Sequence, residues 1–149
     1  MVSQRDGYVI TTDTGSLKGI ECDEVWLITQ GGPDIQGTIR VRELSPSPML
    51  FNRYLSEWRG QKPELWWPKY VEIFTQELKT EKKLSTLRHL FKLVKSGKVI
   101  GLACFCKDAR FCHRTLVGEF LRGYGIEVKE FRNTNANSQA PHEQLSIFG

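Results

Sequence analysis

The sequence predicts an α/β protein: a single compact three-layer domain with a mostly parallel open sheet over residues 1–131, and a flexible C-terminal tail over 132–149. Three observations predict it. Lys98-Val-Ile-Gly-Leu-Ala-Cys104 is a nearly continuous apolar run, as expected of a strand buried on both faces. Helical and strand periodicities alternate through the C-terminal half, the order that right-handed βαβ crossovers produce. After Arg132, the stretch Asn-Thr-Asn-Ala-Asn-Ser-Gln-Ala-Pro-His-Glu143 leaves nothing to bury.

Taken in order, the first twenty residues alternate weakly and carry turn signals at Asp13-Thr-Gly15 and Lys18-Gly19, which predicts a short strand or a hairpin. Glu24-Val-Trp-Leu-Ile-Thr-Gln30 reads as a strand stopped by Gly31-Gly32-Pro33, and Thr38 to Leu44 as a strand or an extended connection. Ser45-Pro-Ser-Pro48 offers a cap and a first-turn proline for a helix running to about Arg59. Two longer helices follow. The first runs from Trp67 to about Leu78 on a stripe of Trp67, Tyr70, Val71, Phe74 and Leu78. The second runs from Glu81 to Lys95 on Leu84, Leu87, Leu90, Phe91 and Val94. After the apolar strand, Cys112 to Arg122 forms a helix with Leu116, Phe120 and Leu121 inward, and Ile126-Glu-Val-Lys-Glu-Phe131 alternates as a last strand. Of the tryptophans, Trp26 belongs to the core and Trp58 to a half-exposed helix end. Trp66-Trp67 staples the entrance of the first long helix, with base stacking the lesser reading for one of them.

The 149 residues suffice for one domain with a hydrophobic core, and 40% hydrophobic with 26% charged residues is ordinary for a globular chain. No apolar run is long enough to span a bilayer, and no charged segment followed by an apolar one opens the chain. No membrane is therefore expected, and the cytoplasm is the expected location. There the four cysteines read as thiols or ligands before they read as disulfides. The net charge of +4 permits an anionic partner. The run Lys79, Lys82, Lys83, Arg88, Lys92, Lys95 and Lys98 reads first as a solvated helix face, and second as a stripe facing nucleic acid.

The segment carrying chemistry is Cys104-Phe-Cys-Lys-Asp-Ala-Arg-Phe-Cys-His-Arg114, placed where ligands sit in open α/β sheets, between a strand end and the next helix start. Backbone N–H groups there attract anions and would draw Cys112 towards thiolate. His113 supplies a group titrating near neutrality, and Arg114 a bidentate donor. Cys112, His113 and Arg114 are the candidate catalytic residues; Cys104, Arg110 and Arg114 the candidate ligand-binding ones. Two other readings stand beside this one. Cys104, Cys106, Cys112 and His113 number enough for a zinc or iron site, but neighbouring Cys112 and His113 do not easily point at one ion. No cofactor is therefore expected, with zinc the alternative. Cys104 followed by Arg110 imitates a phosphatase loop without its glycines. Taken alone, Cys104 ends an apolar strand and reads as core.

The order Leu44-Ser-Pro-Ser-Pro-Met-Leu50, then Trp67-Pro-Lys-Tyr70 with Phe74 and Glu77-Leu78, then the Cys-His-Arg helix start, resembles the YeaO-like group of the DUF488 superfamily from about Val25 to Val128. The resemblance implies a compact α/β fold and little specific chemistry, the family being one of unknown function. Cys112, His113 and Arg114 match its typical motif, and Cys104 a common cysteine at the strand end. Cys106 and Arg110 lie outside its pattern, which counts against the metal and phosphatase readings.

At the far end, Gln144-Leu-Ser-Ile-Phe148 resembles the short peptide by which bacterial replication and repair proteins bind the sliding clamp. The resemblance implies that Ile147 and Phe148 enter an apolar pocket while Gln144 bonds at its rim and Leu145 fills the motif's second position. The other reading is a terminal apolar segment folded back on the domain. Together these readings point to a protein of DNA or nucleotide metabolism with an anion-binding site. A non-enzymatic module for nucleotides or small anions, or a zinc-stabilised interaction domain, are the alternatives.

Overall fold

A computed structural model of the chain describes residues 5–133. Five strands form one sheet in the order β3-β2-β4-β1-β5: β1 Tyr8–Asp13, β2 Glu24–Leu27, β3 Ile39–Arg40, β4 Val99–Cys104 and β5 Val128–Phe131. Every pairing is parallel. The helices are α1 Pro48–Arg53, continued by a wider turn over Tyr54–Trp58, α2 Pro63–Glu77, α3 Glu81–Lys95 and α4 His113–Arg122.

Alternation along the strands puts Val9, Thr11, Trp26, Ile28, Ile100, Leu102, Cys104, Val128 and Glu130 on one face. The helices pack there: His89 of α3 stacks on Trp26 with ring centroids 6.0 Å apart, and Gly118 of α4 lies against Val128 and Thr11. The opposite face has a thinner cover, the connection from β1 to β2, which brings Ile20 and Cys22 against Gly101. Gly118 and Gly101 are each where a side chain would crowd a neighbouring element.

Several sequence expectations need correction. Of the two N-terminal alternatives the strand holds and the hairpin does not: one strand is followed by a 3-10 turn over Thr14–Gly19. Asp13 starts that turn by accepting the N–H of Gly15 and the hydroxyl of Ser16 at 3.1 and 2.7 Å, while β1 finds its partners far along the chain in β4 and β5. Only Ile39–Arg40 of the segment 38–44 is strand, and Arg42–Leu44 is a 3-10 turn. Helix α2 begins four residues earlier than its apolar stripe, because Pro63 suits a first-turn position, and Trp66 is the tryptophan that it buries. In α4 the inward face is His113, Arg114, Val117, Gly118 and Leu121, with Leu116 and Phe120 only partly buried. Two polar residues displace the apolar stripe by a position, so apolar periodicity alone misreads it.

The basic run also loses members. Lys83 is buried and donates to the carbonyls of Glu43 and Ser45, both at 2.7 Å. Arg88 pairs with Glu81 and Lys95 with Asp6. No helix among the described residues is long and apolar enough to cross a membrane. The segment from Gln144 to Phe148 lies outside the described residues.

Candidate functional site

Strand order decides where a ligand crevice opens. After β1 the chain moves past β4 to reach β2; after β4 it moves the other way, past β1, to reach β5. Neighbouring strands whose connections depart in opposite directions mark a switch point, and crevices form there beyond the carboxyl ends. Asp13 and Cys104 are the paired last residues of those two strands.

The segment leaving Cys104 returns at once. Asp108 accepts the N–H of Arg110, and Thr115 donates to the carbonyl of Ala109 at 2.6 Å, so the chain enters α4 with Cys112 as its extended first flanking residue. The return sets the sulfurs of Cys104 and Cys112 2.9 Å apart. His113 is buried against Phe74, and its Nε2 donates to the carbonyl of Ile28 at 2.6 Å. That bond fixes the tautomer, leaving Nδ1 as an acceptor 4.0 Å from the Cys112 sulfur.

Arg114 ties the group together from a fully buried position. One terminal nitrogen donates to the Cys104 sulfur at 3.2 Å, to the Cys112 sulfur at 3.6 Å, and to the carbonyl of Cys106. The other, with Nε, grips the Glu130 carboxylate at 2.8 and 3.2 Å. Thr11 donates to the same carboxylate at 2.6 Å. Glu130 is the member of the cluster that reaches solvent, with a side chain 33% exposed.

These contacts divide the two thiols. Burial alone would raise Cys104, but the hydrogen bond from Cys112 and the Arg114 guanidinium outweigh it and bring the thiol down to about 7. Burial pushes Cys112 well up, and a charged neighbour at Cys104 pushes it further, so Cys112 keeps its proton and donates it. Burial also lowers His113 to about 4, so the ring is neutral at pH 7. Tyr70 nearby stays a neutral phenol, held well above its ordinary value by burial and by the sulfurs.

Over residues 4–125 the chain matches the family model described as the active DUF488-N3 subclade. The chain belongs to the DUF488 superfamily. No curated protein and no solved structure matches it.

In this DUF488 protein the sequence-derived site residues fare unevenly. Cys104, Cys112, His113 and Arg114 do converge. The sequence expected Cys112 to be drawn towards thiolate; here the pair is shifted the other way, Cys104 down through the hydrogen bond from Cys112 and the nearer guanidinium, and Cys112 up through burial. Arg110 stands apart: its side chain is 78% exposed and held by both carboxylate oxygens of Asp108. Cys106 is buried and contributes its backbone carbonyl to Arg114.

The donor atoms of Cys104, Cys112 and His113 all lie within 4.8 Å of one another, so these three could hold a metal ion. Adjacency in sequence does not keep Cys112 and His113 apart here, since the first is extended and the second helical.

Sequence reasoning missed Glu130 and Thr11. A signal was present: with Ile126 and Val128 inward, alternation puts Glu130 on the buried side, and Val9 does the same for Thr11. It also missed Arg40, which donates to the carbonyls of Gly31, Gly32 and Pro33. Those bonds shape the loop after β2 so that Gly32 lies on the ring of Phe105, over the Cys-rich segment.

Proposed function

We propose that this protein acts in DNA or nucleotide metabolism through an anion-binding thiolate centre made by Cys104, Cys112, His113 and Arg114, with Gln144, Leu145, Ile147 and Phe148 docking on a sliding clamp. The observation carrying the reading is the position of the Arg114 guanidinium, shared between a buried sulfur and a partly exposed carboxylate. A phosphate or carboxylate ligand reaches that guanidinium by displacing Glu130, whose two oxygens already mimic the bidentate geometry that arginine offers such groups. Cys104 then lies across the guanidinium from the bound anion, its charge held by the other terminal nitrogen, with neutral His113 and the Cys112 thiol fixing its surroundings. The family description, an active subclade, favours an enzyme over a binding module. The YeaO-like grouping and its Cys-His-Arg motif form part of the same reading.

Thermal denaturation across a panel of inorganic phosphate and nucleotides tests it, on the wild type and on Glu130→Gln. Stabilisation by one of them, stronger in Glu130→Gln because the competing charge is gone, supports the centre as an anion site. No shift in either protein overturns it. For the tail, retention of the full chain on purified clamp, lost in Phe148→Ala, is the expected result; equal retention of both would refute docking.

A metal-holding site is the second reading, favoured by the convergence of Cys104, Cys112 and His113. Two zinc–sulfur bonds of about 2.3 Å at a tetrahedral angle need sulfurs about 3.8 Å apart. The observed 2.9 Å is too close, and a guanidinium already supplies the positive charge. Both would have to move, which ranks this reading below the first.

A further inference from the structure

We propose that Cys104 and Cys112 form a peroxide-sensitive dithiol, in which hydrogen peroxide oxidises Cys104 and Cys112 then closes on it as a reversible disulfide. The inference concerns regulation of the centre proposed above, and it rests on that reading only in taking Cys104 as the reactive sulfur.

Geometry carries it. The two sulfurs stand 2.9 Å apart and need to approach by less than an ångström to reach the bond length of about 2.05 Å. They come from separate, well-anchored elements, the end of the central strand β4 and the start of α4. Parallel pairing to β1 and β2 holds the first, and the bonds of His113 to Ile28 and Thr115 to Ala109 hold the second. The proximity therefore belongs to the native fold. It needs no loop rearrangement.

The local chemistry fits the same sequence of steps. Arg114 contacts both sulfurs and favours the anionic form of the nearer one, Cys104. That thiolate attacks one peroxide oxygen; the O–O bond breaks, leaving a sulfenic acid on Cys104 and hydroxide. The Cys112 thiol gives its proton to the hydroxide, forming the first water. The new Cys112 thiolate attacks the Cys104 sulfur and expels the second hydroxide, which takes a proton from solvent. In sum, one thiolate, one thiol, one peroxide and one proton give a disulfide and two waters. The two sulfurs together lose the two electrons that the peroxide gains.

Oxidation alters the centre it protects. Arg114 loses the negative partner at Cys104 and keeps only Glu130, so the nucleophile disappears while the guanidinium stays.

The full-length protein, treated with hydrogen peroxide, unfolded in an alkylating agent and digested with trypsin without reduction, gives a direct readout by mass spectrometry. Cleavage after Lys107 and Arg110 separates Cys104 and Cys106 from Cys112. The expected product is residues 99–107 joined to residues 111–114, with Cys22 and Cys106 alkylated, and dithiothreitol reverses it. The same product in Cys106→Ser identifies Cys104 as the partner. In Cys112→Ser, Cys104 stops at a sulfenic acid that dimedone traps. A wild type in which Cys104 and Cys112 are both alkylated after peroxide, or in which Cys112 is joined to Cys106, overturns the proposal. Alkylation of the reduced folded protein separates this failure from failure of the functional reading. A Cys104 that alkylates at neutral pH yet never links to Cys112 sinks the dithiol and leaves the thiolate centre standing.

Discussion

Converting His113 to glutamine removes a buried ring whose ionisation couples the fold to pH. In the native state burial holds His113 at about 4, against 6.5 when exposed. A histidine depressed on folding binds fewer protons in the native state than in the unfolded one. Its contribution is therefore fully present above pH 6.5 and is lost as pH falls towards 4. Linkage gives the size: between pH 7.5 and pH 5 the native state loses about 2 kcal/mol through this one ring. Cys104, lowered to about 7, adds a smaller loss of the same sign over the same interval. The comparison of variant with wild type, not the wild-type curve alone, therefore isolates His113. Glutamine can keep a donor near the Ile28 carbonyl without titrating. Urea denaturation at pH 7.5 and pH 5 should show the wild type losing about 2 kcal/mol more than His113→Gln. Equal losses in the two proteins would mean that the ring is solvated or charged in the native state, and the assignment of a neutral Nε2–H tautomer would fall.

Two paired substitutions test the surroundings of the site. Gly32 and Gly37 both have positive φ, 88° and 85°, so alanine strains either backbone, by about 1 kcal/mol. Only at Gly32 would the new carbon also lie 2.4 Å from the Phe105 ring, so Gly32→Ala should lower the melting temperature clearly more than Gly37→Ala, and equal shifts would show that the two loops do not touch. Lys83→Met strips the carbonyls of Glu43 and Ser45 of their donor and should cost about 1–3 kcal/mol in urea denaturation, whereas Lys82→Met, on the exposed side, should stay within about 0.5 kcal/mol. An Lys83→Met protein as stable as Lys82→Met would return Lys83 to the basic surface.

The elements held in place mainly by apolar burial were legible in the sequence. The apolar run from Val99 to Cys104 reads as a strand buried on both faces and is the central one, and the stripe of α3 is regular enough to give both of its ends. Where a polar residue faces inward the reading slipped, because periodicity treats every polar side chain as solvated. Lys83 took a position on the basic face, and α4 was turned by one residue because His113 and Arg114 point into the protein. The Cys-rich loop does lie between a strand end and a helix start, as the order of apolar run and helical periodicity announced. The division of roles between its sulfurs was not legible. It depends on Arg114 lying 3.2 Å from one and 3.6 Å from the other, and on Glu130 arriving from a strand whose place beside β1 no local pattern announces.

Arg114 itself is hard to account for by stability. Moving a guanidinium out of water costs several kcal/mol, and replacing buried ion pairs by apolar side chains of similar volume is often neutral or stabilising. A methionine in the same place could fill the space between β4, α4 and β5 without asking for a carboxylate, two sulfurs and a carbonyl to satisfy it. What a methionine cannot do is hold a negative charge on Cys104 while leaving Cys112 protonated 2.9 Å away. Nor could it present a second face to Glu130 at the edge of solvent. Both properties act on the sulfurs and their edge to solvent, and neither is needed to close the core. The cost of burying Arg114 is thus an argument for the proposed thiolate centre over a purely structural role.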